Sequence, residues 1–306
     1  MSRIHEALKK AAKERSAQIA SGLVEEPSEV TVELENQART PVGIKSLVGE
    51  RRVSGDGDPA CNFGYEELVK RCAHSKWDID GRPSFFQGPS AKDGAAERFR
   101  TLRSRLYQIA GTRTLRKLLV TSSVAAEGKT FVTSNLAQSI VQQTERRVLL
   151  IDADLRAPRL HVVLGAPNRP GLTEYLRGDV GEYAAIQKGA RDNLFLIAAG
   201  SEASNPSELL LSQRMRKLLD LVTPTFDWII IDSPPALPVH DASILADLTD
   251  GVLLVVGAGS THAEVAEKAA GEFREKNLLG VILNRIDKID SYGSNYYSGS
   301  PGGGAE

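Results

Sequence analysis

Eight consecutive residues, Ser123-Val124-Ala125-Ala126-Glu127-Gly128-Lys129-Thr130, place a glycine, a lysine and a hydroxyl in the order that phosphate chemistry uses. A phosphate-binding loop needs backbone N–H groups turned inward, a helix N-terminus behind them, and a lysine that reaches the β/γ oxygens. Gly128, Lys129 and Thr130 meet those needs, and the Thr130 hydroxyl is a ligand for Mg²⁺. Ser123 stands where a leading glycine is usual. Ser123, Glu127, Gly128, Lys129, Thr130 and Phe131 are therefore the candidate nucleotide-binding stretch. Two acidic signals accompany it, Ile151-Asp152-Ala153-Asp154 and Ile231-Asp232-Ser233-Pro234-Pro235. Each follows a short apolar run, and Mg²⁺ prefers such carboxylate oxygens together with waters and phosphate. Taken singly, each Asp is as good a turn or helix-cap residue; three of them beside a phosphate loop favour a metal site.

These residues are useful only if the chain brings them to one place. Short, nearly unbroken Val/Ile/Leu runs at Leu118–Thr121, Val148–Ile151, Leu194–Ala198, Trp228–Ile231, Val252–Val256 and Val281–Leu283 predict strands buried on both faces. Helical patterns alternate with them: Ala95–Ala110, a helix from Lys129, short pieces near Pro158 and Leu172, then Ser207–Val222, Asp241–Leu248 and His262–Lys276. The alternation predicts an α/β fold, a mostly parallel sheet with helices on both faces. In such a sheet ligands bind beyond the carboxyl ends of the strands, the edge where Lys129, Asp152, Asp154 and Asp232 fall.

The chain has 306 residues, 41% hydrophobic and 25% charged, with a formal net charge of −1. That balance gives no global field toward nucleic acid, and no nucleic-acid partner is expected. Cys61 and Cys72 are too few for a disulfide scaffold and lack zinc-ligand spacing. No run approaches the ~20 apolar residues of a membrane span, and the opening residues lack a signal-peptide core, so a cytoplasmic location is expected. Residues 1–20 read as a basic amphipathic helix, with Ile4, Ala7, Leu8 and Ala11 on one face. Residues 21–93 read as a linker with short ordered pieces such as a helix around Tyr65–Ala73. A phosphate-binding domain follows over 94–287, and 288–306 form a Gly/Ser-rich tail carrying Tyr292, Tyr296 and Tyr297.

The text SSVAAEGKT, VLLIDADLRAPRLHVVLG and WIIIDSPPALPVHDASILADLTDGVLLVV resembles the bacterial protein-tyrosine kinases of exopolysaccharide and capsule synthesis. The opening MSRIHEALKKA is similar to the subgroup linked to exosortase polysaccharide loci. The resemblance implies a P-loop NTPase fold of the MinD-like group, with Lys129 and Thr130 in Walker A, Asp152 and Asp154 in Walker A′, and Asp232 in Walker B. It implies ATP and Mg²⁺, with Lys129, Asp152 and Asp154 catalytic and Thr130, Asp154 and Asp232 around the metal. Asn284 becomes a base-contacting residue, and Tyr292, Tyr296 and Tyr297 become phosphoacceptors. Glu97, Arg100 and Arg103 match the E-x-x-R-x-x-R helix with which the family builds a homo-oligomeric ring. A membrane-embedded polysaccharide chain-length regulator is implied as activator, holding the protein at the inner face of the cytoplasmic membrane. Two departures stand out. Ala125-Ala126 replaces the family's Pro-Gly before Glu-Gly-Lys, reducing freedom for φ > 0. Val124 stands where partitioning ATPases of the same fold carry an extra lysine. A MinD/ParA-like switch and a non-catalytic, nucleotide-binding subunit of a polysaccharide assembly are the competing readings.

Overall fold

The computed structural model describes residues 63–77, 94–189 and 191–286, together with the backbone of Thr31–Glu33. The expected helix over 1–20, most of the expected linker and the three tail tyrosines lie outside the described residues.

The sheet contains β1 (Thr31–Glu33), β2 (Ala73–His74), β3 (Lys117–Ser122), β4 (Val148–Asp152), β5 (Gln187–Lys188), β6 (Leu194–Ile197), β7 (Trp228–Asp232), β8 (Gly251–Gly257) and β9 (Leu278–Asn284). Its spatial order is β1-β9-β8-β3-β7-β4-β6-β5-β2. From β9 to β6 all pairings are parallel, while β1 and β5 add antiparallel strands at the two flanks. The six strands expected from apolar runs are the six of the parallel core. The short β1, β2 and β5 carry no such run and were not legible.

Alternation along the strands sets the layers. Leu149, Ile151, Ile229 and Ile231 enter one buried cluster, whereas Val148, Leu150, Trp228 and Ile230 enter another on the opposite face. The second face is covered by α2 (Gly94–Ala110) and α3 (Lys129–Ile140), with Phe99, Leu102 and Leu106 of α2 fully buried. The first face is covered by α1 (Tyr65–Arg71), α5 (Leu172–Arg177), α7 (Pro206–Leu211), α8 (Gln213–Val222) and α9 (Asp241–Ala246). Here α4 (Leu160–Leu164), α6 (Glu182–Ala185) and α10 (Ala263–Phe273) complete the described helices.

Two expectations change. The single helix over Ser207–Val222 is two helices, because Ser212 takes an extended ψ of 153° and its hydroxyl caps Met215 N–H. That serine is a natural N-cap, which apolar periodicity alone overlooks. The segment 63–77, inside the stretch read as linker, packs into the domain: Leu68 is fully buried, and Phe63 stacks on Tyr183. Among the described residues no helix is long and apolar enough to cross a membrane.

Candidate active site

The loop between β3 and α3 is held in shape by its own polar groups. Glu127, only 3% exposed, accepts Val124 N–H at 2.8 Å with one oxygen and Gly257 N–H at 2.9 Å with the other. Its carboxylate thus points toward the end of β8. Gly128 sits at φ +92°, and a Cβ there would lie 2.1 Å from Asn284 Nδ2, so any other residue is strained and must displace the Asn284 amide. Asn284 donates to Glu127 O at 2.8 Å and is 5% exposed; it is tied to the loop itself. The Phe131 ring packs edge-on against Phe99 of α2, leaving its backbone N–H as the group that faces the helix start. Ser123 is fully buried with no partner for its hydroxyl.

Ala126 adopts φ +64°, so the loop keeps a left-handed apex without the glycine. An alanine there costs about 1 kcal/mol or somewhat more. Ala126→Gly is expected to raise stability by about 0.5 kcal/mol, the relief of strain exceeding the entropy cost of glycine. Urea unfolding checks this, and a clear loss of stability would contradict it.

Behind the loop, six side chains meet at the carboxyl ends of three strands. Lys129 Nζ lies 2.7 Å from Asp154 Oδ2, with side chains 11% and 3% exposed. Thr130 Oγ1 donates to Asp232 Oδ2 at 2.6 Å, and Thr133 Oγ1 lies 3.3 Å from Asp232 Oδ1. Asp152 and Asp232 stand opposite each other in register on β4 and β7. Both Asp152 oxygens accept backbone N–H groups, Oδ1 from Asp154 and Oδ2 from Leu160 at 3.0 Å. Asp152 therefore organises the loop after β4, while Asp154 closes a turn onto Ala157 N–H and keeps its other oxygen on Lys129.

The electrostatics follow from burial. Burial raises the Asp152 carboxyl well above the usual carboxylate range, helped by the Asp232 charge. Burial also raises Asp232, against the pull of Lys129 and the Thr130 hydroxyl. Burial lowers the Lys129 ammonium, but the Asp232 and Asp154 charges outweigh it and hold the group above the ordinary lysine value. Three buried carboxyls face one ammonium, a seat that suits a divalent cation. Among the described residues no set of three or more acidic, His or Cys side chains is placed to hold a metal alone. A cation here would take the rest of its shell from phosphate and water, as Mg²⁺ does.

Three polar partners escaped the sequence reading. Thr133 follows Lys129 by one helical turn and shares its face with Thr130, a spacing that could have shown it. Arg156 continues the two-residue step of Asp152 and Asp154. Its guanidinium reaches the fully buried Asp241 at 2.7 Å and Ser207 at 3.0 Å, tying the loops after β4 and β7 together. Thr261 gave no signal, since a turn far along the chain brings it to Glu127. Glu97, Arg100 and Arg103 share the α2 surface as expected. Within the chain Arg100 pairs with Glu97 at 2.9 Å, and Arg103 donates to Ser139 O at 2.5 Å.

Comparison with known proteins agrees with this geometry. The family model described as an AAA domain matches residues 124–264. The tyrosine-protein kinase YwqD of Bacillus subtilis is 36% identical over 206 residues, covering 66% of this chain and 86% of that protein. The tyrosine-protein kinase etk of Escherichia coli K12 is also 36% identical over 206 residues, but these are 67% of this chain and only 28% of that longer protein. The solved kinase domain of the Escherichia coli tyrosine kinase ETK superposes with a TM-score of 0.63 at 34% identity, covering 68% of this chain and 82% of that one. A P-loop fold with its phosphate loop, paired aspartates and strand-end Asp232 in place, and this identity across most of the Bacillus protein, make the chain a member of the bacterial tyrosine-protein kinases.

Proposed function

We propose that this chain is an ATP-dependent protein-tyrosine autokinase serving exopolysaccharide synthesis and export, moving the γ-phosphoryl group of Mg-ATP to tyrosines of its own tail. The convergence of Lys129, Thr130, Asp154 and Asp232 in one buried seat carries the reading. Phosphoryl transfer needs mainly positioning and charge neutralisation, and this seat supplies both. Lys129 leaves Asp154 for the β/γ-phosphate oxygens. Thr130 and Asp232 would hold Mg²⁺ beside Asp154, and the cation would supply neutralisation of the phosphate charge. Asp154, released by Lys129, accepts the proton of the acceptor hydroxyl. Asp152 is left out of that transfer because backbone N–H groups occupy both its oxygens. Asn284 holds the loop and stands near the base.

Tyr292, Tyr296 and Tyr297 are the proposed acceptors. The tail beyond Ile286 needs only ~10 extended residues to span up to ~35 Å, so a tyrosine can reach its own or a neighbour's site. Self-association through Glu97, Arg100 and Arg103 would require these side chains to exchange their present intramolecular partners. We place the domain at 94–287 plus the packed 63–77 segment. The basic helix over 1–20 is assigned to contact with a membrane-embedded chain-length regulator, which would hold the protein at the inner face of the membrane. Identity to tyrosine kinases, and Val124 in place of an early lysine, disfavour a partitioning switch.

Incubating the purified protein with Mg-ATP should yield phosphate on Tyr292, Tyr296 or Tyr297, mapped by mass spectrometry. Each would add roughly −1.5 to −2 charges, so assemblies should become smaller by light scattering. Nucleotide binding without any phosphotyrosine would favour the regulatory-subunit reading instead.

A further inference from the structure

The turn that follows β8 folds back on itself. Ser260 and Thr261 both donate backbone N–H to Gly257 O, at 3.3 and 3.1 Å. A Cβ on Gly257 would lie 2.3 Å from Ser260 Oγ, so a larger residue there would have to turn the exposed Ser260 side chain away. The closure carries the Thr261 side chain onto the phosphate loop, where its hydroxyl donates to Glu127 Oε1. Gly257 N–H donates to the same oxygen. Glu127 therefore bridges an N–H of the loop itself, on Val124, to two donors rooted outside the loop.

A loop that must be ordered at binding loses affinity, whereas a loop already in its bound shape does not. This loop has a specific weakness, Ala126 held at φ +64°, from which an unrestrained backbone would relax. A carboxylate fixed at both oxygens blocks that relaxation.

We propose that Thr261 is a positioning residue for nucleotide binding: through Glu127 it holds the loop in the shape that presents the N–H groups of Gly128, Lys129, Thr130 and Phe131 to phosphate. The inference rests on the reading of this loop as the phosphate seat. It also divides the work on one side chain, since the Glu127 carboxylate never needs to touch the ligand.

The test is Mg-ADP titration by calorimetry on the full chain, with steady-state kinetics in ATP beside it. Thr261→Val and Thr261→Ala should each raise the Kd for Mg-ADP and the KM for ATP about tenfold, the scale of one lost hydrogen bond to a charged acceptor. Turnover at saturating ATP should stay within about twofold, because the chemistry at Asp154 is untouched. Thr261→Ser, which restores the hydroxyl, should return both constants to the wild-type values. Wild-type affinity in both hydroxyl-free variants, or an equal loss of affinity in Thr261→Ser, overturns the proposal. A wild-type protein that fails to bind Mg-ADP overturns the phosphate-seat reading itself, and Thr261 with it.

Discussion

Lys129→Met should abolish phosphotyrosine formation, lowering turnover by about 10²–10³-fold, the cost of removing one preorganised charged donor from a transferring phosphoryl group. Methionine keeps the length and apolar stem of lysine but delivers no charge to the phosphates. A second effect belongs to the empty protein. Lys129 and Asp154 are 11% and 3% exposed, so removing the ammonium leaves a buried carboxylate without its cation. Breaking such a pair costs about 3 kcal/mol, visible as a lower urea midpoint. Lys129→Arg separates the two effects. It retains the charge, and with it most of the stability, but its planar fork does not reproduce the point charge at the phosphates. Near wild-type phosphotyrosine in Lys129→Met would remove Lys129 from the mechanism.

Asp154→Asn should lower transfer, as Lys129→Met does, without weakening nucleotide binding. The amide preserves shape and can still accept Ala157 N–H, but it no longer holds Lys129 as an ion pair. Freed Lys129 and one fewer negative charge in the seat should leave nucleotide affinity equal to or tighter than that of the wild type. Loss of the proton acceptor should lower transfer by about 10²–10⁴-fold. Calorimetry and phosphotyrosine detection on one preparation distinguish the two. If Asp152→Asn proves the more damaging change at equal stability, Asp152 rather than Asp154 takes the proton.

How far the sequence reached can be judged residue by residue. Lys129 and Thr130 were legible from the Gly-Lys-Thr order between a strand and a helix, and Asp152, Asp154 and Asp232 because they end or follow apolar runs, a run buried on both faces being a strong strand signal. Their convergence followed from one topological rule about parallel sheets. The orientation of side chains did not. The Glu127 carboxylate braces the loop in a direction that depends on donors from β8. That the Asn284 amide donates to the loop was likewise not legible. Both contacts join residues more than 120 positions apart, which no local pattern encodes. The helix at Tyr65–Arg71 was expected, but the packing of segment 63–77 into the domain was not: its apolar residues are few and aromatic-rich, and they complete a core whose other half comes from elsewhere.

Asp152 and Asp232 face the same way on adjacent parallel strands, at the spacing of one backbone hydrogen bond. An empty seat therefore keeps two acids in a place that disfavours their charge. A protein built in this manner has its native state supported by what it binds. Occupancy at 100 times the dissociation constant adds about 2.7 kcal/mol against unfolding. Its lifetime in a cell, and its exposure to proteases, then follow the supply of nucleotide and divalent cation. A starved cell would carry less of this protein even at unchanged synthesis, through faster loss of the unliganded form.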